Sequence, residues 1–395
     1  MKVVIIGGGA SGIVCAIKLA RRGINVEILE KNNSVLKKVL TTGNGKCNYF
    51  NSNISISHYH SNDIEFLNNI ITDTNINNVH KFFNSIGVIP KIKNGYYYPY
   101  SNTSTTIKNL LLLECIKLNI KIITDISVLD ITKEEKFIIK TNQNNITCDK
   151  VVIATGSVAS IKDEYNMYKL LNKLGHTIIK PLPALVMLEG FDNYKDWAGI
   201  RLDASISLYE NDKYIDKQLG ELQLTNYGIS GICVMNLSGR INRILDNNKL
   251  AVLKINFIPN IENGYNYLEE RSNLLPNLNI IEMLESIINY KLLYFILKKC
   301  HINDKLKWNE LNNKQKELLI DNIFNFKFEV KNSKGFECAQ VVSGGVSLKE
   351  INNNFESKII KDLYIIGELL DVDGDCGGYN LGFAWISGMI VGDNL

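Results

Sequence analysis

Val3-Val4-Ile5-Ile6-Gly7-Gly8-Gly9-Ala10-Ser11-Gly12 opens the chain, and its reading decides the fold. A short apolar strand runs into a glycine-rich turn. Ile13, Ala16, Ile17 and Ala20 then recur at i, i+3, i+4 and i+7, the spacing of one helix face. Asn25–Leu29 reads as a second parallel strand, with Glu30 directly after it. In such a unit the first glycine permits the tight turn, the second lets backbone N–H groups approach a pyrophosphate, and the third lets the helix pack close; these roles fall on Gly7, Gly9 and Gly12. The diphosphate then meets a helix N-terminus, where unpaired N–H groups and the dipole favour negative charge. Glu30 follows Gly12 by 18 positions, near the ~20 expected of an acid that accepts ribose hydroxyls of an adenosine. A carboxylate there disfavours a 2′-phosphate, so NADP is not the expected occupant of this first site. The competing reading is an ordinary glycine loop with an exposed strand-end carboxylate, and the helical and strand context argues against it.

At 395 residues the chain is too long for one ordinary core, so two or three domains are expected. Hydrophobic residues make up 45% and charged residues 22%, a globular composition. With the first strand beginning at Lys2 no signal peptide is expected, and no apolar run reaches the ~18 residues that span a bilayer. A net charge of +3, from dispersed lysines, is too small to imply nucleic acid as a partner. The eight cysteines, at 15, 47, 115, 148, 233, 300, 338 and 376, contain no C-x-x-C pair and no metal-ligand spacing. No metal is expected, and reduced thiols in a cytoplasmic protein are.

Sheet-like patterning returns at Lys121–Ile131, Lys136–Lys140 and Val151–Ala154, the last ending in Ala154-Thr155-Gly156. From about Gly190, Ile200, Leu202, Ala204, Ile206 and Leu208 alternate with polar residues and Asn211-Asp212 offers a turn, which predicts antiparallel hairpins. Residues 265–325 read as helices, Ile280–Lys299 among them, and Leu363–Ile366 repeats the buried-strand pattern of the N-terminus. The middle therefore reads as an insertion into a domain that closes only with the C-terminus.

Leu363-Tyr364-Ile365-Ile366-Gly367-Glu368, then Asp371-Val372-Asp373-Gly374 and Gly377-Gly378-Tyr379-Asn380, suit a flavin better than a nicotinamide. FAD is extended, so its adenosine can lie on the first motif while a distant segment meets the ribityl chain and ring. Glu368 is placed to accept from a ribityl hydroxyl. N–H groups around Gly378–Leu381 at a helix N-terminus would stabilise negative charge on the reduced ring. Thr41-Thr42-Gly43-Asn44-Gly45-Lys46-Cys47-Asn48 is a solvent loop or a third wall of the same pocket.

These four runs, with Tyr98-Pro99, Gly220-Glu221-Leu222, Asn226-Tyr227-Gly228-Ile229-Ser230-Gly231 and Gly344-Gly345-Val346-Ser347, resemble the bacterial BaiN/YhiN-like flavoprotein family over nearly the whole chain. The resemblance implies an α/β fold: a Rossmann-like, two-dinucleotide-binding-type FAD domain over 1–189 and 344–395, interrupted by a β-barrel-like domain over 190–264 with 326–343 and a small helical domain over 265–325. It implies contacts to non-covalent FAD at Gly7, Gly9, Ala10, Ser11, Gly12, Glu30, Lys31, Lys38, Gly43, Gly45, Lys46, Cys47, Asn48, Val128, Thr155, Gly156, Gly367, Glu368, Asp373, Gly378, Tyr379, Asn380 and Leu381. Lys46 stands where Arg is common, which keeps charge but loses the planar fork, and Cys376 stands where Thr is common.

Cys47 and Tyr379 are the candidates for catalysis. Cys47 lacks a resolving partner in its own segment, so a packing thiol is the expectation, and Cys47 with Cys376 is the pair worth testing as a disulfide. His58, His60, His80, His176 and His301 stand outside the flavin motifs in sequence, so no histidine is expected as general base or covalent anchor; Tyr379, a lysine or water is left as proton donor. Tyr96–Tyr100 form an aromatic wall or a packed turn. One fingerprint alone implies that NAD(P)H, if used, docks transiently. The expectation is an FAD-dependent oxidoreductase of a small organic substrate, with reduction of an activated C=C favoured by family analogy. An amine or amino-ketone oxidase using O2 and a flavin-loaded sensor are the alternatives; a role on tRNA is disfavoured by the modest charge.

Overall fold

Strand β1 (Lys2–Ile6) is apolar at four successive positions because it lies in the centre of a parallel sheet and both its faces are covered. Helix α1 (Ala10–Arg21) and strand β2 (Asn25–Leu29) complete the first unit. The sheet has five strands in the order Leu363–Ile365, Lys150–Ile153, β1, β2, Lys121–Ile123, and every pairing is parallel. Strand order reverses between β1 and Lys150–Ile153, the place where open α/β sheets bind ligands beyond their carboxyl ends. The computed structural model describes residues 1–160 and 167–395.

Two compact units result, Met1–Pro181 with Val341–Leu395, and Leu182–Gln340. The expected boundaries after residues 189 and 343 therefore shift to 181 and 340. The reason is local: Leu188–Gly190 is a barrel strand, antiparallel to Gly228–Ser230 and to Phe326–Ser333. The second unit holds a closed six-stranded barrel in which Arg201–Glu210 and Lys213–Leu224 form the predicted hairpin. Asn211 and Asp212 turn it in the left-handed region, with φ of 45° and 69°. The predicted helix Ile280–Lys299 is two helices, Ile280–Leu284 and Tyr290–Lys299, the second capped by the Asn289 side chain accepting from Lys291 N. These helices have no core of their own: Leu268, Leu284, Leu292 and Ile296 join Trp197, Ile206, Phe326 and Phe328 of the barrel in one buried cluster.

In the first unit the C-terminal helix Tyr379–Asn394 packs along α1 so closely that a Cβ on Gly388 would stand 2.4 Å from the Ser11 carbonyl oxygen. Ser387 Oγ accepts from Gly367 N at 3.1 Å, which ties this helix to the end of the sheet.

Candidate nucleotide site and its neighbouring cluster

Four glycines at the end of β1 meet four different demands. Gly7 has φ 108°, and a Cβ there would lie 2.4 Å from the Ala154 carbonyl oxygen. On Gly12 it would lie 2.1 Å from the Gly7 carbonyl oxygen, so the helix can seat only on hydrogen. Gly8, to which the sequence assigned no role, would drive a Cβ to 2.3 Å from Val35 Cγ1, and its own carbonyl accepts from Leu36 N at 2.9 Å. Gly9 is unlike the others: a Cβ would meet only the Ala154 oxygen, at 3.9 Å. Its space opens instead into a cavity of about 720 Å3.

That cavity tests whether a dinucleotide fits. Of the positions expected in contact with FAD, Gly7, Gly9, Glu30, Lys31, Lys38, Val128, Thr155, Gly156 and Glu368 line it. Ala10, Ser11 and Gly12 form the first turn of α1, whose N-terminus receives no side-chain cap, so its outward N–H groups are left for an anion. Glu30 is 8% exposed. Its Oε2 accepts from Gly8 N at 2.9 Å and its Oε1 from Asn32 N at 2.8 Å and Asn32 Nδ2 at 2.6 Å. Three of the roughly four lone-pair directions of a carboxylate are thereby used, and one remains for a ribose hydroxyl. An uncapped helix end, an open glycine and a fixed carboxylate fit an adenosine diphosphate moiety.

Glu368 differs from expectation. Its Oε2 is paired with Lys38 Nζ at 2.6 Å and its Oε1 accepts from Ser157 Oγ at 2.8 Å, because a half-buried carboxylate beside a lysine takes the nearest donors. Ser157 and Asn32 were missed from the sequence; their signal was adjacency, one residue after Gly156 and two after Glu30. Gly367 lies under the cavity, with its N–H on Ser387.

The remaining positions do not line the cavity and gather elsewhere in the same unit. Gly43, Asn44, Gly45 and Cys47 follow one another in a left-handed turn, with φ of 55°, 52°, 80° and 58°. Lys46 is exposed and Cys47 is fully buried. Burial, partly offset by a hydrogen bond to Thr42, pushes the Cys47 thiol up to about 11, so it is a protonated packing group. All eight cysteines are unpaired, Cys47 and Cys376 included. Asn48 Oδ1 is buried without a hydrogen-bond partner among the described residues and faces Gly378, whose Cβ would come within 3.0 Å. Gly378 has φ 93° and begins the C-terminal helix without a side-chain cap. An orphaned acceptor facing an uncapped helix end fits a polar ring edge. Asn380 is used differently from expectation: its side chain clamps Gly374, accepting from N at 2.8 Å and donating to O at 2.7 Å, which holds the turn and keeps that amide from a ligand. Asp373 is buried and backbone-paired with His60, and Leu381 is partly buried against the core. Tyr96–Pro99 is a strand paired with Phe50–Asn51 and Pro90–Lys93, its first three tyrosines half-buried.

Sequence spacing also concealed two histidines. His58 and His60, distant from every motif in the chain, both close on Asp375: His58 Nδ1 is 3.0 Å from Oδ2, and His60 Nε2 is 3.2 Å from Oδ1. Burial raises the Asp375 carboxyl, but hydrogen bonds from His60 and His58 outweigh it and the net shift is downward. No helix among the described residues is long and apolar enough to cross a membrane, and no group of three His, Cys, Asp or Glu among them could hold a metal ion.

Three comparisons place this architecture. A family model described as the HI0933-like protein Rossmann domain matches residues 1–394. A 3-dehydro-bile acid delta(4,6)-reductase of Clostridium scindens is 35% identical over 99% of this chain and 98% of its own length. Ribosomal RNA dihydrouridine synthases of Haemophilus influenzae and Escherichia coli are 26% and 25% identical, over 97% and 99% of this chain and 96% and 97% of theirs. The chain belongs to the HI0933-like family of Rossmann-domain proteins and is an FAD-dependent oxidoreductase.

Proposed function

We propose that this enzyme saturates a carbon–carbon double bond conjugated to a carbonyl in a small organic molecule, using NAD(P)H as reductant. The observation that carries this reading is shared chemistry among relatives aligned end to end. A delta(4,6)-reductase of a 3-dehydro bile acid and a dihydrouridine synthase each saturate a C=C in conjugation with C=O. A small molecule is favoured over RNA here by the net charge of +3 and by identity that is higher to the bile acid enzyme. A cytoplasmic setting suits the unpaired cysteines.

The protein's own contribution is binding and orientation. The N-terminus of α1 and Gly9 hold the diphosphate, and Glu30 accepts from the adenosine ribose. Lys38 and Ser157 fix Glu368 at the cavity wall. Asn48 and the turn at Gly378 face one another where a ring edge would lie. Bound FAD supplies a carrier that takes up and releases a hydride. With a single dinucleotide fingerprint, NAD(P)H docks transiently.

Anaerobic absorption spectroscopy tests the reading. The flavin bands should bleach with NADH or NADPH and return on adding a steroid 4-en-3-one. Recovery with an RNA containing uridine but not with the enone would move the substrate to nucleic acid. Bleaching only by amines, with peroxide on aeration, would establish an oxidase, and bands that resist every donor would remove the enzymatic reading.

A further inference from the structure

The Asp375 cluster lies outside the nucleotide cavity and has a specific shape. Asp375 is 7% exposed, its backbone N donates to the His58 carbonyl at 2.9 Å, and Asp373–Gly374 pairs antiparallel with Tyr59–His60. Asn53 Nδ2 lies 3.2 Å from His58 Nε2 and donates to it, so His58 Nδ1–H is the donor to Asp375. The His58 ring is thereby held at both nitrogens. It stacks on Tyr379, with centroids 4.4 Å apart and planes 21° from parallel. On the other side the Tyr379 carbonyl accepts from Tyr59 OH at 3.0 Å. Every one of these contacts fixes a ring or a backbone atom of Tyr379, while its phenol has no hydrogen bond to a described residue.

Tyr379 is also the first residue of the C-terminal helix, after the glycine turn that faces Asn48. Ser387, at the floor of the nucleotide cavity, lies eight residues along that helix, or about 12 Å at 1.5 Å per residue. An extended dinucleotide anchored at Gly9 has its far end toward this turn.

We infer that Tyr379 is the proton donor of the proposed reduction and that His58, locked by Asp375, is the residue that positions it. The inference rests on the C=C reduction proposed above. In that reaction a hydride from the dihydronicotinamide, carried through the flavin, adds to the β-carbon, and the π pair moves toward the α-carbon and carbonyl oxygen. The Tyr379 O–H bond breaks, its proton forms the new C–H bond at the α-carbon, and water reprotonates the phenolate. One substrate, one NAD(P)H and one proton are consumed. Burial, with Asp375 and Tyr96 adding to it, pushes the phenol up to about 12, which keeps the proton on Tyr379 until a strongly basic carbon is presented.

Stopped-flow measurement of the two half-reactions separately tests this. In Tyr379→Phe, the ratio of the enone-driven to the NAD(P)H-driven rate should fall about 100-fold or more, the range of general acid catalysis. His58→Ala should lower the same ratio about tenfold through a misplaced ring, and His58→Phe, which keeps the stack without the imidazole, should restore it to within about threefold. Circular dichroism and the bound-flavin spectrum report folding independently of turnover. If the wild-type flavin is reoxidised by the enone and Tyr379→Phe keeps the same ratio, the proton-donor assignment is overturned. An unchanged ratio in His58→Ala, or no rescue in His58→Phe, overturns the positioning role. A wild-type flavin that no conjugated carbonyl reoxidises overturns the parent reading and this inference with it.

Discussion

The nucleotide turn and the Asp375 cluster are both built on glycines and one buried carboxylate, yet they are assembled in opposite ways. At the first, Glu30 reaches Gly8 across 22 positions of sequence, within one strand–helix–strand unit. At the second, His58 reaches Asp375 across 317 positions. The first can form as soon as its own segment folds, and its chemistry is local. The second exists only once the C-terminus has returned to the sheet edge, so its residues carry no joint signature in the chain.

Substitutions at the two places should therefore fail differently. The largest effect is expected of Gly12→Ala, whose Cβ would stand 2.1 Å from a backbone oxygen with no flexible group to yield. Loss of about 3 kcal/mol or more in denaturant unfolding, with no retained flavin, is expected. A stable, yellow variant would break the claim that this turn is sterically determined. Glu30→Gln should next weaken FAD about 30-fold by titration, roughly 2 kcal/mol for a charge-assisted hydrogen bond, while the fold survives on the Gly8 and Asn32 contacts.

Gly9→Ala sharpens the contrast inside the first region. With nothing nearer than 3.9 Å to its Cβ, the unfolding midpoint of the flavin-free protein should hold, while FAD affinity drops about tenfold, or ~1.4 kcal/mol. An equal loss of stability in Gly9→Ala and Gly12→Ala would remove the distinction. Asp375→Asn should have the smallest effect, about 1 kcal/mol at neutral pH, since both histidines are partly solvated. The folded Asp375 carboxyl titrates below its ordinary value of 3.8, so the folded state binds fewer protons there. Its contribution is complete above about pH 4 and is lost as the pH falls through the folded pKa, and Asp375→Asn should flatten that acid limb of the stability profile. A limb of unchanged steepness would show that the carboxylate does no electrostatic work in this cluster.

Several residues show where legibility stopped. Gly7, Gly9, Gly12 and Glu30 were assigned from spacing because a βαβ unit has few ways to close. Gly8 was passed over, since its partner Val35 sits beyond the strand and nothing in the pattern marks the contact. Glu368 was legible as a cavity residue but not as the partner of Lys38, 330 positions away. The helices within 265–325 were recognisable by period, yet their lack of a separate core depends on which apolar faces the barrel strands offer.

The sequence by itself determined the parallel sheet with its glycine turn, the dinucleotide acid at Glu30, the barrel hairpin at Asn211-Asp212 and the family. Each follows from periodicity or turn stereochemistry over a few tens of residues. Only the tertiary structure decided that Asn380 braces a turn, that Cys47 is sealed from solvent, and that His58 and His60 share Asp375 beside Tyr379. Those outcomes depend on contacts between segments hundreds of residues apart, where the burial of apolar faces sets the register and polar groups then take whichever partners it brings within reach.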